Sequence, residues 1–512
     1  MLREVRGDLE FRNELLRAQA YYAIAAPARQ HLHRQVAELL VERPAEQRQS
    51  LQLEIAWHFL RGGDVARALS FGIDGSEQAL AVGAPYEAEQ ILLVLQGQRS
   101  AAGSAEKRIR FLLSRALLDQ SKAEHALPIL TEVLADPELS PRELADATRM
   151  RAAAQYLLDR DPLERYCQAT DEALAAARRL SDARLTALAL FECARAGAEL
   201  GEDRRVESAL NELLALSEEP VGANDPVVLH ALGFCYFFFS ELKRAAGYLE
   251  RAIDVLRSSS DSVTLNYVYN GLGMCRHYLC EIGPAEAAYF AGFNLARKIG
   301  DESRASIIAA NLCGIKTHEG DYADAIKFGC YCLEAASRGR SPRLVISYTN
   351  LAEAYMLNGD SRRAAECLEK AKKLVEEDPR WYKRVEFVTE SANLALLASD
   401  IALALDRIGM LEKLTSGRER AVHSLGIIEK LKIFKAGHVG EPVTACTMAQ
   451  QAKERFRNRN VMFYLQTLAA QAWAERRAHG GEHPKTEHEL KAFEAPGLAG
   501  LKASLVGQGF LL

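Results

Sequence analysis

The chain has 512 residues, and a hydrophobic content of 48% excludes a largely disordered protein. Its 64 basic and 69 acidic residues leave a formal net charge of -5. Dedicated nucleic-acid or membrane binders usually carry a basic face, so we expect neither nucleic-acid binding nor membrane association. The ten cysteines form no pair of CxxC motifs and no signal peptide opens the chain. The sequence therefore predicts a soluble, cytoplasmic protein without a metal site.

The first 42 residues differ from the rest of the chain. The segment from Glu4 to Phe11 can form two short strands around a turn at Gly7-Asp8. Helical periodicity then runs from Asn13 to Leu40, interrupted at Ala26-Pro27. This order predicts a hairpin followed by two helices.

Residues 9–40 read LEFRNELLRAQAYYAIAAPARQHLHRQVAELL. This stretch resembles the end of the winged-helix segment that follows the nucleotide-binding core in STAND-type signalling ATPases. Asn13 stands where that family usually has a histidine. The matching residues are Phe11, Leu15, Arg17, Tyr21, Arg29, Leu32 and His33.

The segment from Ile55 to about residue 100 resembles the first helical repeats of the same proteins, including the maltose-regulator type of transcriptional activator. The resemblance implies a partial winged-helix-like segment over 1–42, first helical repeats over 43–104, and an arm that senses an inducer or partner. No GxxxxGK[ST] phosphate-binding loop occurs in the sequence. We therefore expect either the C-terminal piece of a larger ATPase or a form that has lost its ATPase core.

A repeat with a period near 40 residues occupies most of the remaining chain. Small residues lie at positions 233, 273, 313 and 352, and a second set lies 12 residues later at 245, 285, 325 and 364. This is the tetratricopeptide pattern, in which small residues let two helices cross closely. HEAT repeats share the length, but the small-residue pattern favours the tetratricopeptide interpretation.

Weaker matches extend the pattern, upstream through Ala194 and Ala153 and downstream through 385–414 and 421–455. The sequence therefore predicts an all-α fold, a tetratricopeptide-like right-handed superhelical solenoid of about nine units over 105–455. A capping helix and tail follow over 456–512. Gly-Asp pairs, such as Gly300-Asp301 and Gly359-Asp360, are expected to end one helix and cap the next.

Four positions of each first helix are expected to face the concave groove, namely six and three residues before the small residue and one and four after it. Their mixture of apolar and polar side chains is what a ligand or peptide groove requires. The alternative is that the aromatic residues are plain core of a buried helix. The candidate groove residues are His230, Phe234, Phe237, Tyr267, Asn270, Met274, His277, Thr317 and Glu353.

Catalytic residues and cofactors are not indicated by any motif. His230 and His277 lack a third ligand at a suitable spacing. The sequence therefore predicts a non-catalytic regulatory or sensor arm, which binds a small effector or a protein segment in its groove and belongs to a STAND-type ATPase or transcriptional regulator system. A free-standing protein–protein interaction scaffold is the alternative, and an enzyme with an unrecognised site is the third. Oligomeric state is left open.

Overall fold

The computed structural model describes residues 2–5, 8–11, 13–98, 105–158, 163–220, 222–259, 261–338, 344–377, 381–416, 425–457, 459–480, 489–494 and 497–511. The chain divides into two compact units. The first unit comprises Met1–Asp119 and His125–Asp136, and the second comprises Gln120–Glu124 and Pro137–Leu512.

The first unit begins with an antiparallel hairpin, as the sequence predicts. Strand β1 (Leu2–Val5) pairs with β2 (Asp8–Phe11), with Leu2 opposite Phe11. The predicted turn residue Gly7 lies outside the described residues. The described residues of this unit then form eight helices: α1 (Glu14–Ala23), α2 (Ala26–Val41), α3 (Ala45–Ser50), α4 (Gln52–Arg61), α5 (Val65–Ala81), α6 (Pro85–Gln96), α7 (Ala105–Asp119) and α8 (Ala123–Leu134).

Three of the residues that carry the STAND resemblance contact one another in the first unit. The hydroxyl of Tyr21 lies 2.8 Å from Nε2 of His33, and the guanidinium of Arg29 lies over the Tyr21 ring. Nδ1 of His33 lies 3.0 Å from Nδ1 of His58 on α4. These contacts tie α1, α2 and α4 together, while the winged-helix assignment itself stays a prediction.

In the part of the second unit that the structure describes, eight successive pairs of helices follow one another. Each first helix packs against the second helix that follows it, as in α15 with α16 and α17 with α18. The pairs are α9 (Pro141–Leu158) with α10 (Leu163–Arg179), α11 (Ala183–Leu200) with α12 (Asp203–Glu218), α13 (Pro226–Phe238) with α14 (Leu242–Arg257), α15 (Ser262–Tyr278) with α16 (Ile282–Ile299), α17 (Glu302–Glu319) with α18 (Tyr322–Arg338), α19 (Leu344–Leu357) with α20 (Ser361–Glu377), α21 (Trp381–Leu397) with α22 (Ile401–Thr415), and α23 (Leu425–His438) with α24 (Pro442–Phe456).

The small residues of the predicted repeat lie where paired helices cross. A Cβ atom built on Gly233 would lie 2.7 Å from Cγ of Leu249 on the partner helix, closer than such atoms approach in proteins. At Gly273 the corresponding close neighbour is the Tyr289 ring. The other small positions of the repeat are fully buried. The predicted all-α, tetratricopeptide-like helical-repeat solenoid is thus confirmed.

Glycine-aspartate pairs end and begin helices as predicted. Gly300 has a φ of 79° and ends α16, and a left-handed backbone of this kind favours glycine. Asp301 then caps α17, because its side chain accepts a hydrogen bond from the backbone N–H of Arg304 at 2.8 Å. Gly359 and Asp360 repeat the arrangement ahead of α20, with a φ of 86° at the glycine.

The C-terminal elements pack against helices of the preceding pairs. They are α25 (Val461–His479), the short 3₁₀ helix η1 (Lys491–Glu494) and α26 (Ala499–Gly507). Helix α25 packs against α23, α24 and α15, whereas α26 packs against α17 and α21. Among the described helices, none is both long enough and apolar enough to cross a lipid bilayer.

Candidate binding groove

The structure places the nine predicted groove residues in two different surroundings. Three of them, His230, Phe234 and Tyr267, lie together with Phe191 and other side chains from successive first helices. Most of the others lie beside the C-terminal elements or in contacts between first helices. We call the first group, together with the arginines described below, the aromatic–arginine cluster.

The rings of this cluster bridge three successive first helices. His230 of α13 lies between Phe191 of α11 and Tyr267 of α15, with ring centroids 4.9 and 5.9 Å away. Phe234 contacts Phe191 edge to face at 5.3 Å. All four rings are half-buried, so each keeps one part accessible. The expected groove positions, counted from the small residue of each repeat, therefore bring His230, Phe234 and Tyr267 together. We call this offset from the small residue the spacing rule.

Two further members of the cluster were missed by sequence reasoning, although the same rule reaches them. Phe191 and Arg195 lie three residues before and one residue after Ala194, the small residue of a weaker repeat. Arg195 is buried, with its guanidinium carbon 3.8 Å from the centre of the Tyr156 ring. Its charge is balanced by an ion pair with the buried carboxylate of Glu192.

A tyrosine completes the surroundings of this ion pair. Nε of Arg195 donates to the hydroxyl of Tyr166 at 3.1 Å, and that hydroxyl donates to the Glu192 carboxylate at 3.1 Å. Burial holds the pKa of Tyr166 well above its ordinary value, so the hydroxyl keeps its proton. Arg195 is therefore held in one position by neighbours that also neutralise it.

Arg304, from the first turn of α17, supplies the second cation of the cluster. Its guanidinium carbon lies 3.6 Å from the centre of the Tyr267 ring, and the residue is 9% exposed. The pKa of His230 is lowered to about 4, first because burial disfavours the imidazolium and then because Arg304 and Arg195 repel it. The imidazole is consequently neutral at physiological pH.

The groove residues Phe237, Thr317 and Glu353 contact neighbours instead of an open cleft. Phe237 is 7% exposed and packs on the Tyr278 ring, which in turn contacts Phe463 of α25. The hydroxyl of Thr317 donates to a carbonyl of its own helix at 2.9 Å. The carboxylate of Glu353 accepts a hydrogen bond from Ser504 of α26 at 2.9 Å.

Helix α26 approaches α17 without any intervening side chain. A Cβ atom on Gly500 would overlap the carbonyl oxygen of Thr317, so only glycine allows this contact. Beyond the helix, Gln508 accepts a hydrogen bond from Nζ of the buried Lys430 at 2.6 Å. Residues 497–511, which we call the C-terminal segment, therefore cover α17, α19 and α21 on the inner face, by which we mean the side of the array that the first helices line.

The covered part of the inner face contains buried charges. Burial raises the pKa of the Glu390 carboxyl, and the charge of Glu353 adds to that shift. Burial lowers the pKa of the Lys430 ammonium, although Glu390 and Glu353 oppose the shift. Ionisable groups with shifted pKa values also occur in structural networks. Here Gln508 of the C-terminal segment belongs to such a network, because it accepts the hydrogen bond from Lys430.

Asn270, Met274 and His277 contribute to a polar row between α15 and α17. Nδ2 of Asn311 donates to Oδ1 of Asn270 at 2.9 Å, and Asn270 in turn lies 3.7 Å from the sulfur of Met274. The rings of His277 and His318 share a hydrogen bond of 2.8 Å. Burial, followed by the charge of His318, lowers the pKa of His277 well below its ordinary value. Within the described ranges, no group of three or more His, Cys, Asp or Glu residues has the geometry to hold a metal ion.

No protein-family model matches the sequence, and no curated protein matches it. Several solved structures are similar. A Rap protein complexed with competence and sporulation factor aligns at 13% identity and a TM-score of 0.49, over 69% of this chain and 99% of the Rap chain. BtubC from P. vanneervenii aligns at 20% identity and a TM-score of 0.35, over 42% of this chain and 92% of its own.

A third similar structure is a signal transduction ATPase with numerous domains, or STAND protein, with a tetratricopeptide repeat sensor from Pyrococcus horikoshii. It aligns at 16% identity and a TM-score of 0.36, over 74% of this chain. The chain spans 57% of that protein's length. Because all these TM-scores lie below 0.5, the description of the fold rests on the repeat geometry of the chain itself.

Proposed function

We propose that this chain is a non-catalytic regulatory protein whose first helices bind a small effector or a protein segment at the aromatic–arginine cluster. The observation that carries the proposal is the set of half-buried rings contributed by α11, α13 and α15. Apolar walls with a few oriented polar groups are typical of ligand sites. Neutral His230 and the fixed Arg195 supply those polar groups.

Regulation follows from the position of the cluster across repeats. A ligand that contacts α11, α13 and α15 together binds only one relative arrangement of these helices with full affinity. It therefore shifts the population of repeat packings toward that arrangement. We propose that this change is the signal that the solenoid transmits.

Membership of a STAND-type system is supported by the sequence resemblance over residues 11 to about 100. We propose that the chain is the sensor arm of such an ATPase or transcriptional regulator. Immunoprecipitation from the cells that make the protein, followed by peptide sequencing, tests this part. Peptides with a phosphate-binding loop in a band well above 56.5 kDa support it, whereas a band at 56.5 kDa with no ATPase in the complex contradicts it.

The binding function is tested on the full chain by a thermal-shift screen of small metabolites and short peptides. A ligand at about 100 times its dissociation constant stabilises a protein by about 2.7 kcal/mol, which gives a measurable rise in Tm. We expect Phe234→Ala to abolish the ligand-induced rise. Phe328→Ala is the matched control, because Phe328 is also a half-buried ring but lies on the second helix α18.

A ligand that shifts wild type and Phe234→Ala equally contradicts the assignment to the cluster. If proteins co-purify with the chain and no metabolite or peptide shifts it, the scaffold alternative is favoured instead.

A further inference from the structure

Arg304 differs from the other buried arginine of the cluster in having no anionic partner. Among the described residues, no carboxylate forms an ion pair with its guanidinium, and its buried Nε has no hydrogen-bond acceptor. Arg195, by contrast, is paired with Glu192. Burying an unpaired cation is costly, and buried charges are normally paired.

Asp301, whose carboxylate interacts electrostatically with Arg304, is already engaged in other hydrogen bonds. One oxygen of Asp301 accepts the backbone N–H of Arg304 at 2.8 Å, and the other accepts the hydroxyl of Ser121 at 3.0 Å. Burial raises the pKa of Asp301, while the charge of Arg304 opposes that shift. Asp301 therefore serves as the cap of α17 and does not form the ion pair that Arg304 lacks.

The orientation of Arg304 leaves its donors available to a ligand. The guanidinium is stacked on the Tyr267 ring at 3.6 Å, and a stacked guanidinium keeps its N–H groups in the plane of the stack. The N–H groups along one edge of the guanidinium match the two oxygens of a carboxylate. The rings of Tyr267 and His230 are in contact, so the edge lies within the aromatic–arginine cluster.

We propose that Arg304 anchors a carboxylate group of the ligand, and that the apolar part of the same ligand lies against Phe191 and Phe234. This inference rests on the proposed function and names the class of ligand, a monocarboxylate with an apolar substituent. The single uncompensated cation matches one negative charge. A phosphate dianion would face the same single cation beside a neutral imidazole. The carboxylate can belong to a small acid or to the end of an apolar peptide.

Calorimetric titration of the full chain with matched acid and amide probes tests the proposal. The small probes are phenylacetate and its neutral analogue phenylacetamide. The peptide probes are an apolar tripeptide with a free or an amidated carboxyl end. We expect the acid of at least one pair to bind about tenfold more tightly than its amide, and the pair that shows this preference identifies the source of the carboxylate.

Variants of Arg304 then assign the preference to this side chain. Arg304→Gln should remove the preference for the acid and leave binding of the amide unchanged. Arg304→Lys should retain part of it, since the charge stays and the planar fork is lost. Arg244→Gln is the control. The Arg244 guanidinium also lies over a tyrosine ring, but Arg244 belongs to the second helix α14. Circular dichroism confirms that each variant is folded.

Equal binding of acid and amide to the wild type overturns the proposal, as does an acid preference that survives in Arg304→Gln. Absence of binding by all four probes also overturns it, while the binding function itself is judged by the metabolite and peptide screen. Loss of both acid and amide binding in Phe234→Ala would support the cluster as the site independently of Arg304.

Discussion

The two parts of the inner face use equivalent repeat positions in different ways. Around α11, α13 and α15, these positions carry half-buried rings, and Arg304 from the first turn of α17 adds an unpaired cation beside them. Around α17, α19 and α21, they are covered by the C-terminal segment, which contacts Thr317 and Glu353. The comparison teaches that a repeat position determines which way a side chain faces, whereas the rest of the chain determines whether that face is available to a ligand.

The largest expected effect separates packing from binding. Phe463 of α25 is fully buried between Tyr278 and Phe456, so Phe463→Ala should lower the free energy of unfolding by about 4 kcal/mol. Phe234→Ala should cost about 1–2 kcal/mol, because part of that ring already contacts water. Urea denaturation followed by circular dichroism measures both. Equal losses would show that the Phe234 ring is packed as tightly as the Phe463 ring.

A smaller effect on the free energy of unfolding distinguishes the two arginines of the aromatic–arginine cluster. Arg195→Gln should lower the free energy of unfolding by about 3 kcal/mol, because it leaves the Glu192 carboxylate buried with only the Tyr166 hydroxyl as a donor. Arg304→Gln should stay within about 1 kcal/mol of the wild type or exceed its stability, since no buried partner is abandoned. The same denaturation experiment decides, and a larger loss in Arg304→Gln would contradict the description of Arg304 as unpaired.

The smallest expected effect concerns pH. The folded-state pKa of His230 is about 4, below the ordinary value of 6.5, so between these values the unfolded chain binds a proton that the folded chain does not. The part of the stability that His230 contributes therefore falls as the pH drops from 7 to 5. His230→Gln should remove that fall of about 2 kcal/mol, measured as the change in the difference between urea titrations at the two pH values. An unchanged fall would mean that His230 is solvated as in the unfolded chain.

The repeat itself could be predicted from sequence because its determinants are local. Gly233, Gly273 and their partners set how closely two adjacent helices cross, and Gly300-Asp301 ends one helix and caps the next within a few residues. Phe191 and Arg195 were within reach of the same reasoning. They belong to a repeat with a weaker small-residue signature, which gives less indication of where its groove positions lie.

The unpaired cation and the covered part of the inner face could not be predicted in this way. Arg304 lies nine residues before Cys313, outside the groove positions, and its stacking on Tyr267 depends on how α15 crosses α17. Gly500 belongs to a weakly apolar tail, and nothing local in its sequence specifies the Thr317 carbonyl as its neighbour. Both features arise from contacts between residues distant in the chain.

Contact between α26 and α17 has a consequence for the order in which the molecule is built. A simple repeat array has contacts only between neighbouring units, so its repeats can form and open one after another. Here Ser504 contacts Glu353, 151 residues earlier in the chain. During synthesis from the N-terminus, helices α17 to α21 emerge long before the segment that covers them. The cover can form only after the array is complete, and from that moment opening one of these repeats also requires releasing the tail.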